Sequence, residues 1–74
     1  MDTFEEYFNE SINNYNKGDI FKAISLLNKC IVINPQHSGA YTNRGLMKYA
    51  LKKYKDAIVD LNYAIELDDN NDIA

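Results

Sequence analysis

Few side chains in this 74-residue chain are of a kind that does covalent or metal chemistry. A thiol and an imidazole, Cys30 and His37, could in principle form a nucleophile and its base, a pairing that needs a thiolate held beside the ring. Cys30, however, falls on an apolar stripe where a small buried side chain is wanted, and His37 lies beyond Pro35 in a turn. The expectation is an inert buried thiol and a solvated histidine. Asp68, Asn70 and Asp72 alternate like the first half of a calcium loop, but Ile73 stands where the turn glycine belongs and no closing bidentate Glu follows. An acid-decorated helix end explains them better. There is no glycine-rich phosphate cradle and no Ser/His/Asp set. The chain is therefore expected to have no catalytic residue, no metal and no cofactor, and not to be an enzyme. Arg44, Lys48 and Lys52 recur every fourth residue, followed by Lys53 and Lys55. Such a stripe could meet an acidic partner, although a solvated face that ends a stack is the simpler expectation.

The elements that hold these residues are bounded by composition. A chain this short buries only roughly 60–65% of its unfolded surface, so one domain and no deep enclosed site are expected. Hydrophobic residues at 46% and charged residues at 26% are ordinary for a globular chain that folds. Eight basic against eleven acidic residues give a net charge of -3, the wrong sign for a nucleic-acid or anionic-membrane binder that relies on general electrostatics. The longest apolar run, Cys30 to Ile33, is far short of the ~20 residues of a membrane span. A single cysteine and the absence of a charged-then-apolar leader make the cytoplasm the expected compartment.

Turn residues divide the chain into four helical segments. Asp2 and Thr3 precede Glu5 and Glu6 by three residues, overlapping capping-box patterns that start a helix near residue 3 and carry it to Gly18. Asp19 caps a second on Ile20, Ala23, Ile24, Leu27, Cys30 and Ile31, which Asn34-Pro35 ends. Ser38 is placed to cap a third, and Ala57, Ile58, Leu61, Ala64 and Ile65 mark a fourth. The predicted spans are 3–16, 19–34, 38–51 and 54–68. No segment alternates with period two between hairpin turns, so the class is all-α.

Sliding the chain by 34 residues superposes Tyr7 on Tyr41, Asn9 on Asn43, Tyr15 on Tyr49, Ala23 on Ala57, Ile24 on Ile58, Leu27 on Leu61, Asn28 on Asn62 and Ile31 on Ile65. A helix-turn-helix unit with this period resembles the tetratricopeptide repeat (TPR) family. The segment from Ala40 to Gly45, then Tyr54 to Ile58 and Asn62 to Asp68, carries the likeness most closely, and Phe4 to His37 is a more diverged copy. The resemblance implies two tandem helix-turn-helix units, four antiparallel helices in a short right-handed superhelical solenoid. One domain then spans 1–74, with repeats at about 4–37 and 38–71 and residues 72–74 as the start of a truncated third. Small residues at Ser11/Gly45, Ala23/Ala57 and Cys30/Ala64 let paired helices approach closely while Leu27/Leu61 fill the space around them. Glu10, Asn14, Arg44 and Lys48 replace the family's usual Leu and Tyr, at positions expected to face the next repeat, and Asp69 replaces the repeat-ending proline.

The likeness also implies a function. In this family the first helix of each repeat lines a concave groove, a role that falls here on Phe8, Asn9, Ile12, Tyr15, Asn16, Thr42, Asn43, Leu46 and Tyr49. Phe8, Ile12 and Tyr15 share one helical face by their spacing alone. An apolar groove edged with amides suits a peptide or helical segment of a protein partner. The clamp that holds acidic chaperone C-termini is not expected, since Phe8 and Ile12 stand where its Lys and Asn belong. The alternatives are a homodimer through an uncapped C-terminal face at Leu51, Ile58 and Ile65, or a piece of a longer array.

Overall fold

The computed structural model describes the backbone of residues 3–73 and the side chains of residues 3–68. Four helices follow one another: α1 (Phe4–Asn16), α2 (Ile20–Ile33), α3 (Ser38–Ala50) and α4 (Tyr54–Ile73). There is no strand among the described residues. α1 packs on α2, α3 on α4, and α2 on α3, so the two hairpins are joined through their middle helices.

The helix starts follow capping chemistry, with one departure from the expected residues. Thr3 Oγ1 accepts from the Glu6 N–H at 3.2 Å, and its hydroxyl meets Glu6 Oε1 at 3.2 Å. Asp19 Oδ1 accepts from the Lys22 N–H at 3.2 Å. These bonds satisfy amides that have no partner within the helix. Asp2, the other half of the expected overlapping caps, lies outside the described residues. At α3 the cap is His37 and not Ser38: His37 Nδ1 accepts from the Ala40 N–H at 3.1 Å. The imidazole is held for this by Phe4 and Phe8, whose ring centroids lie 4.6 and 5.6 Å away. His37 is thus half-buried and structural, which corrects the expectation of a solvated turn residue.

Both hairpin turns close with the same pair of bonds. Gly18 N–H reaches Tyr15 O and Asp19 N–H reaches Asn14 O; 34 residues on, Lys52 N–H reaches Tyr49 O and Lys53 N–H reaches Lys48 O. This Schellman closure requires a left-handed residue after the helix. Gly18 supplies it at φ 92°, but in the second repeat a lysine does so, Lys52 at φ 65°. A side chain in that region costs free energy that glycine avoids. Lys52→Gly is therefore expected to raise the unfolding free energy by about 0.5–1 kcal/mol, read as a higher urea midpoint with unchanged slope. A lower midpoint would overturn the assignment of strain to this turn.

Ala23, Leu27 and Cys30 from α2 and Ala40 and Met47 from α3 make the main core, with Phe4, Tyr7, Phe8, Ile20, Ile24 and Ile31 packed around it. A second cluster joins Tyr41 to Ala64 and Leu67, and Ile31 packs against this one too. Ser11 is fully buried and satisfied, its hydroxyl donating to Ala23 O at 2.8 Å. α4, expected to stop at 68, runs on to Ile73. Asp69 occupies the place where Pro35 ends the first repeat, and nothing from there to Ile73 forbids helical backbone. Asn70, Asp72 and Ile73 accordingly continue α4 in their backbone.

Candidate functional site

α1 and α3 run side by side on one surface of the molecule, and between them lies an open cavity of about 250 Å³ lined by Ile12, Tyr15, Asn43, Leu46 and Met47. Ile12 and Tyr15 sit three apart on α1, and Asn43, Leu46 and Met47 sit at i, i+3 and i+4 on α3, so each helix turns one face to the hollow. Four of the nine expected groove residues are brought together here. Met47 was not among them. It is 4% exposed, belongs to the core and forms the cavity wall from below; its i+4 spacing from Asn43 was the available signal. The half-buried Asn43 carboxamide bonds to none of the described residues, which leaves its donors and acceptor for a ligand.

The other expected residues lie elsewhere. Phe8 is stacked on Phe4 with centroids 5.6 Å apart and supports the His37 cap. Asn9 and Asn16 are exposed on α1 and do not line the cavity. Thr42 turns its hydroxyl back to Ser38 O at 3.1 Å. Tyr49, 60% exposed, meets Tyr54 edge-on with centroids 5.3 Å apart, at the far end of α3.

Of the expected basic stripe, Arg44 and Lys48 are not a free surface, whereas Lys52, Lys53 and Lys55 are exposed. Asp60 on α4, only 4% exposed, accepts two bonds from Arg44, Nη2 to Oδ1 and Nε to Oδ2, each 2.8 Å, and Lys48 Nζ lies 3.0 Å from Oδ2. Arg44 Nη1 also donates to Asn28 Oδ1 on α2 at 2.9 Å. Two corrections follow: Arg44 and Lys48 neutralise a buried carboxylate and do not form a solvated face, and Arg44 reaches back to α2, toward the preceding repeat. Burial works to raise the Asp60 pKa, but the Arg44 and Lys48 hydrogen bonds and charges outweigh it and hold the group below the usual carboxylate value. The bond to Asp60 in turn raises the Arg44 pKa. The signal for Asp60 was in the sequence, an acid on the inward stripe with Ala57, Ala64 and Leu67, but a stripe read by apolar residues alone passes over it. Cys30 is fully buried, its thiol pushed up by desolvation and directed at Phe4 O at 3.7 Å, so it is inert toward His37.

The tetratricopeptide repeat family model matches residues 38–71, which hold α3 and most of α4. The chain is 34% identical over 58 residues to tetratricopeptide repeat protein 36 of Danio rerio, covering 78% of this chain and 31% of that protein. It is 36% identical over 53 residues to an uncharacterized protein of Methanocaldococcus jannaschii, covering 72% of this chain and 62% of that one. The chain belongs to the tetratricopeptide repeat family. It spans less than two thirds of the length of either relative.

As a tetratricopeptide repeat chain it is a protein–protein interaction module, of a family that is in general non-catalytic. Among the described residues no three His, Cys, Asp or Glu side chains could hold a metal ion, and no helix is long and apolar enough to cross a membrane. Beyond the α1–α3 groove the tetratricopeptide repeats expose apolar residues at both ends. On α4, Ile58, Val59 and Ile65 are 57%, 66% and 58% exposed, while Leu51, expected beside them, is half-buried. At the opposite end Tyr7, Lys29, Val32 and Ile33 frame a shallow hollow, with Lys29 Nζ 5.2 Å from the Tyr7 ring centroid.

Proposed function

We propose that the α1–α3 groove docks a peptide segment of a protein partner, with one large apolar side chain seated among Ile12, Tyr15, Leu46 and Met47 and the Asn43 amide bonded to the peptide main chain. The cavity carries the reading. At about 250 Å³ it is smaller than the ~300–1,000 Å³ typical of small-molecule sites but ample for a single side chain. Its walls are apolar and its one amide is unengaged, the combination that gives buried area and orientation together. A single, fully buried cysteine with no disulfide partner fits the cytoplasm as the setting for this module.

The test is selection from a random peptide library on the immobilised chain. The selected peptides are expected to share one Leu, Met, Phe or Tyr anchor. Leu46→Asp and Ile12→Asp are expected to weaken such a peptide by about 30-fold or more, the ~2 kcal/mol of a hot-spot contact, with helicity unchanged because both side chains are already exposed. Asn43→Ala is expected to cost about 1 kcal/mol, one neutral hydrogen bond. Peptides that bind with no common anchor, or that ignore both Asp variants, would place the binding surface elsewhere. The alternative of self-association through Leu51, Ile58 and Ile65 has in its favour that both isoleucines are more than half exposed, and sedimentation at several concentrations reads it directly.

A further inference from the structure

Thr3 and His37 stand 34 residues apart and hold the same place, each the N-cap of the first helix of its repeat. Thr3 caps with a hydroxyl whose bonds are both to Glu6 of its own helix. His37 caps with Nδ1, which accepts from the Ala40 N–H at 3.1 Å, and its ring also lies against Phe4 and Phe8 of the preceding repeat, with centroids 4.6 and 5.6 Å away. One imidazole therefore starts α3 and ties α1 to it. Room for the ring comes from Gly39: a Cβ there would stand 2.9 Å from His37 Cε1 and 3.3 Å from Nδ1. The first repeat carries Glu5 at the equivalent place.

We propose that this contact is a proton-operated latch between the two repeats: protonation of His37 uncaps α3, turns the ring on Phe4 and Phe8, and changes the spacing of α1 and α3. An acceptor at Nδ1 requires the neutral ring with its proton on Nε2. Imidazolium carries an N–H at both nitrogens and accepts at neither, so no rotation of the ring restores the cap. It also sets a positive charge on the N-terminus of α3, where the helix dipole opposes it. The Phe4 and Phe8 faces attract a cation, an effect smaller than those of the cap and the dipole together. Nothing nearby compensates the charge. On α1, Glu6 is engaged with Thr3 and Glu5 is exposed; on α2, the Cys30 thiol is directed at Phe4 O; on α3, the Tyr41 hydroxyl donates to Pro35 O. Among the described residues the ion pairs are those of Arg44 and Lys48 with Asp60, not with His37. α1 also meets α3 at Ser11, whose hydroxyl lies 4.0 Å from Met47 Sδ, and Met47 floors the groove. The latch thus regulates the groove, a consequence that rests on the groove being the binding surface.

The experiment is an NMR titration of the full chain from about pH 8 to about pH 5, the range in which a histidine ring ordinarily changes charge. Asp60, held below the usual carboxylate value, stays ionised throughout. The comparison is His37→Asn, which keeps a cap acceptor but does not titrate. The Ala40 amide, the Phe4 and Phe8 ring protons and the Ile12 and Leu46 methyls are expected to move with the midpoint read from the His37 ring itself, and to stay in place in His37→Asn. Protection of the Ala40 amide, corrected for intrinsic exchange, is expected to fall about fivefold as the ring protonates, the fold-change of a lost N-cap. A groove-selected peptide is expected to bind about fivefold more weakly below the midpoint, and His37→Asn to bind it equally on both sides. Ala40 shifts and protection that ignore the ring titration, or that persist in His37→Asn, would overturn the latch. Peptide affinity indifferent to the charge on the ring would overturn its control of the groove, while the groove reading itself fails only if no anchored peptide is selected, and the Ala40 response then decides the latch alone.

Discussion

Asp60→Asn is expected to lower the unfolding free energy by about 2–4 kcal/mol. Removing one partner of a buried charge pair typically costs about 3–5 kcal/mol because the other charge is left uncompensated. Here two cations are left, but their side chains are 19% and 21% exposed and can turn partly to water, which trims the loss. Against a total of roughly 4–11 kcal/mol for a chain of this length, the variant is near the edge of folding. The same group sets an acid limit. Its folded pKa lies below the unfolded value, so its contribution is fully present above the unfolded carboxylate pKa and is lost as pH falls through the folded one. The parent is therefore expected to lose melting temperature steeply below about pH 4, and Asp60→Asn to lose less over the same interval. The combined change Asp60→Leu, Arg44→Leu and Lys48→Tyr is expected to come within about 1 kcal/mol of the parent, since an apolar set of similar volume often replaces a buried ionic one without penalty. Thermal melts between pH 3 and 7 read all three; equal acid slopes in parent and Asp60→Asn would remove Asp60 as the sensor.

Asp60 also marks where reading the sequence stopped short. The helices were legible because their ends carry strong local chemistry: Thr3 and Asp19 cap, Gly18 and Pro35 end. The 34-residue period was legible because the close contacts recur as small or identical residues. His37 was not, because cap preference by residue type favours the adjacent Ser38, and what decides the matter is the ring packing of Phe4 and Phe8, remote in sequence. The end of α4 was not, since Asp and Asn are weak helix formers and not breakers. In the groove, Ile12, Tyr15, Asn43 and Leu46 were found from one helical face on each helix. Phe8 shares that face of α1 but is taken up by the same His37 cap, and Met47 was passed over because a buried core residue can also floor a cavity.

Gly45→Ala is expected to cost about 1–3 kcal/mol, and Ala57→Phe to reach the top of that range or exceed it, by overpacking the closest approach of α3 and α4. A Cβ on Gly45 would stand 2.9 Å from Leu61 Cγ, 3.0 Å from Leu61 Cδ2 and 3.2 Å from Ala57 O. Leu61 is only partly buried and can yield, but the Ala57 carbonyl is backbone and moves only if α4 moves. The first repeat shows the other solution: Ser11 stands at the equivalent place and its hydroxyl bonds the Ala23 carbonyl at 2.8 Å. Ser11→Ala is accordingly expected to cost only about 1 kcal/mol, the net value of one hydrogen bond. The groove depends on the same contact, because α3 carries Asn43, Leu46 and Met47 and a forced tilt of α3 changes their distance from Ile12 and Tyr15. Gly45→Ala is thus expected to weaken any groove-selected peptide although residue 45 touches none of the cavity. Urea unfolding and peptide titration on one preparation separate the effects. A Gly45→Ala chain as stable as the parent would show that α3 and α4 have room to spare, and unchanged binding beside a real loss of stability would show that α4 yields while the groove wall stays in place.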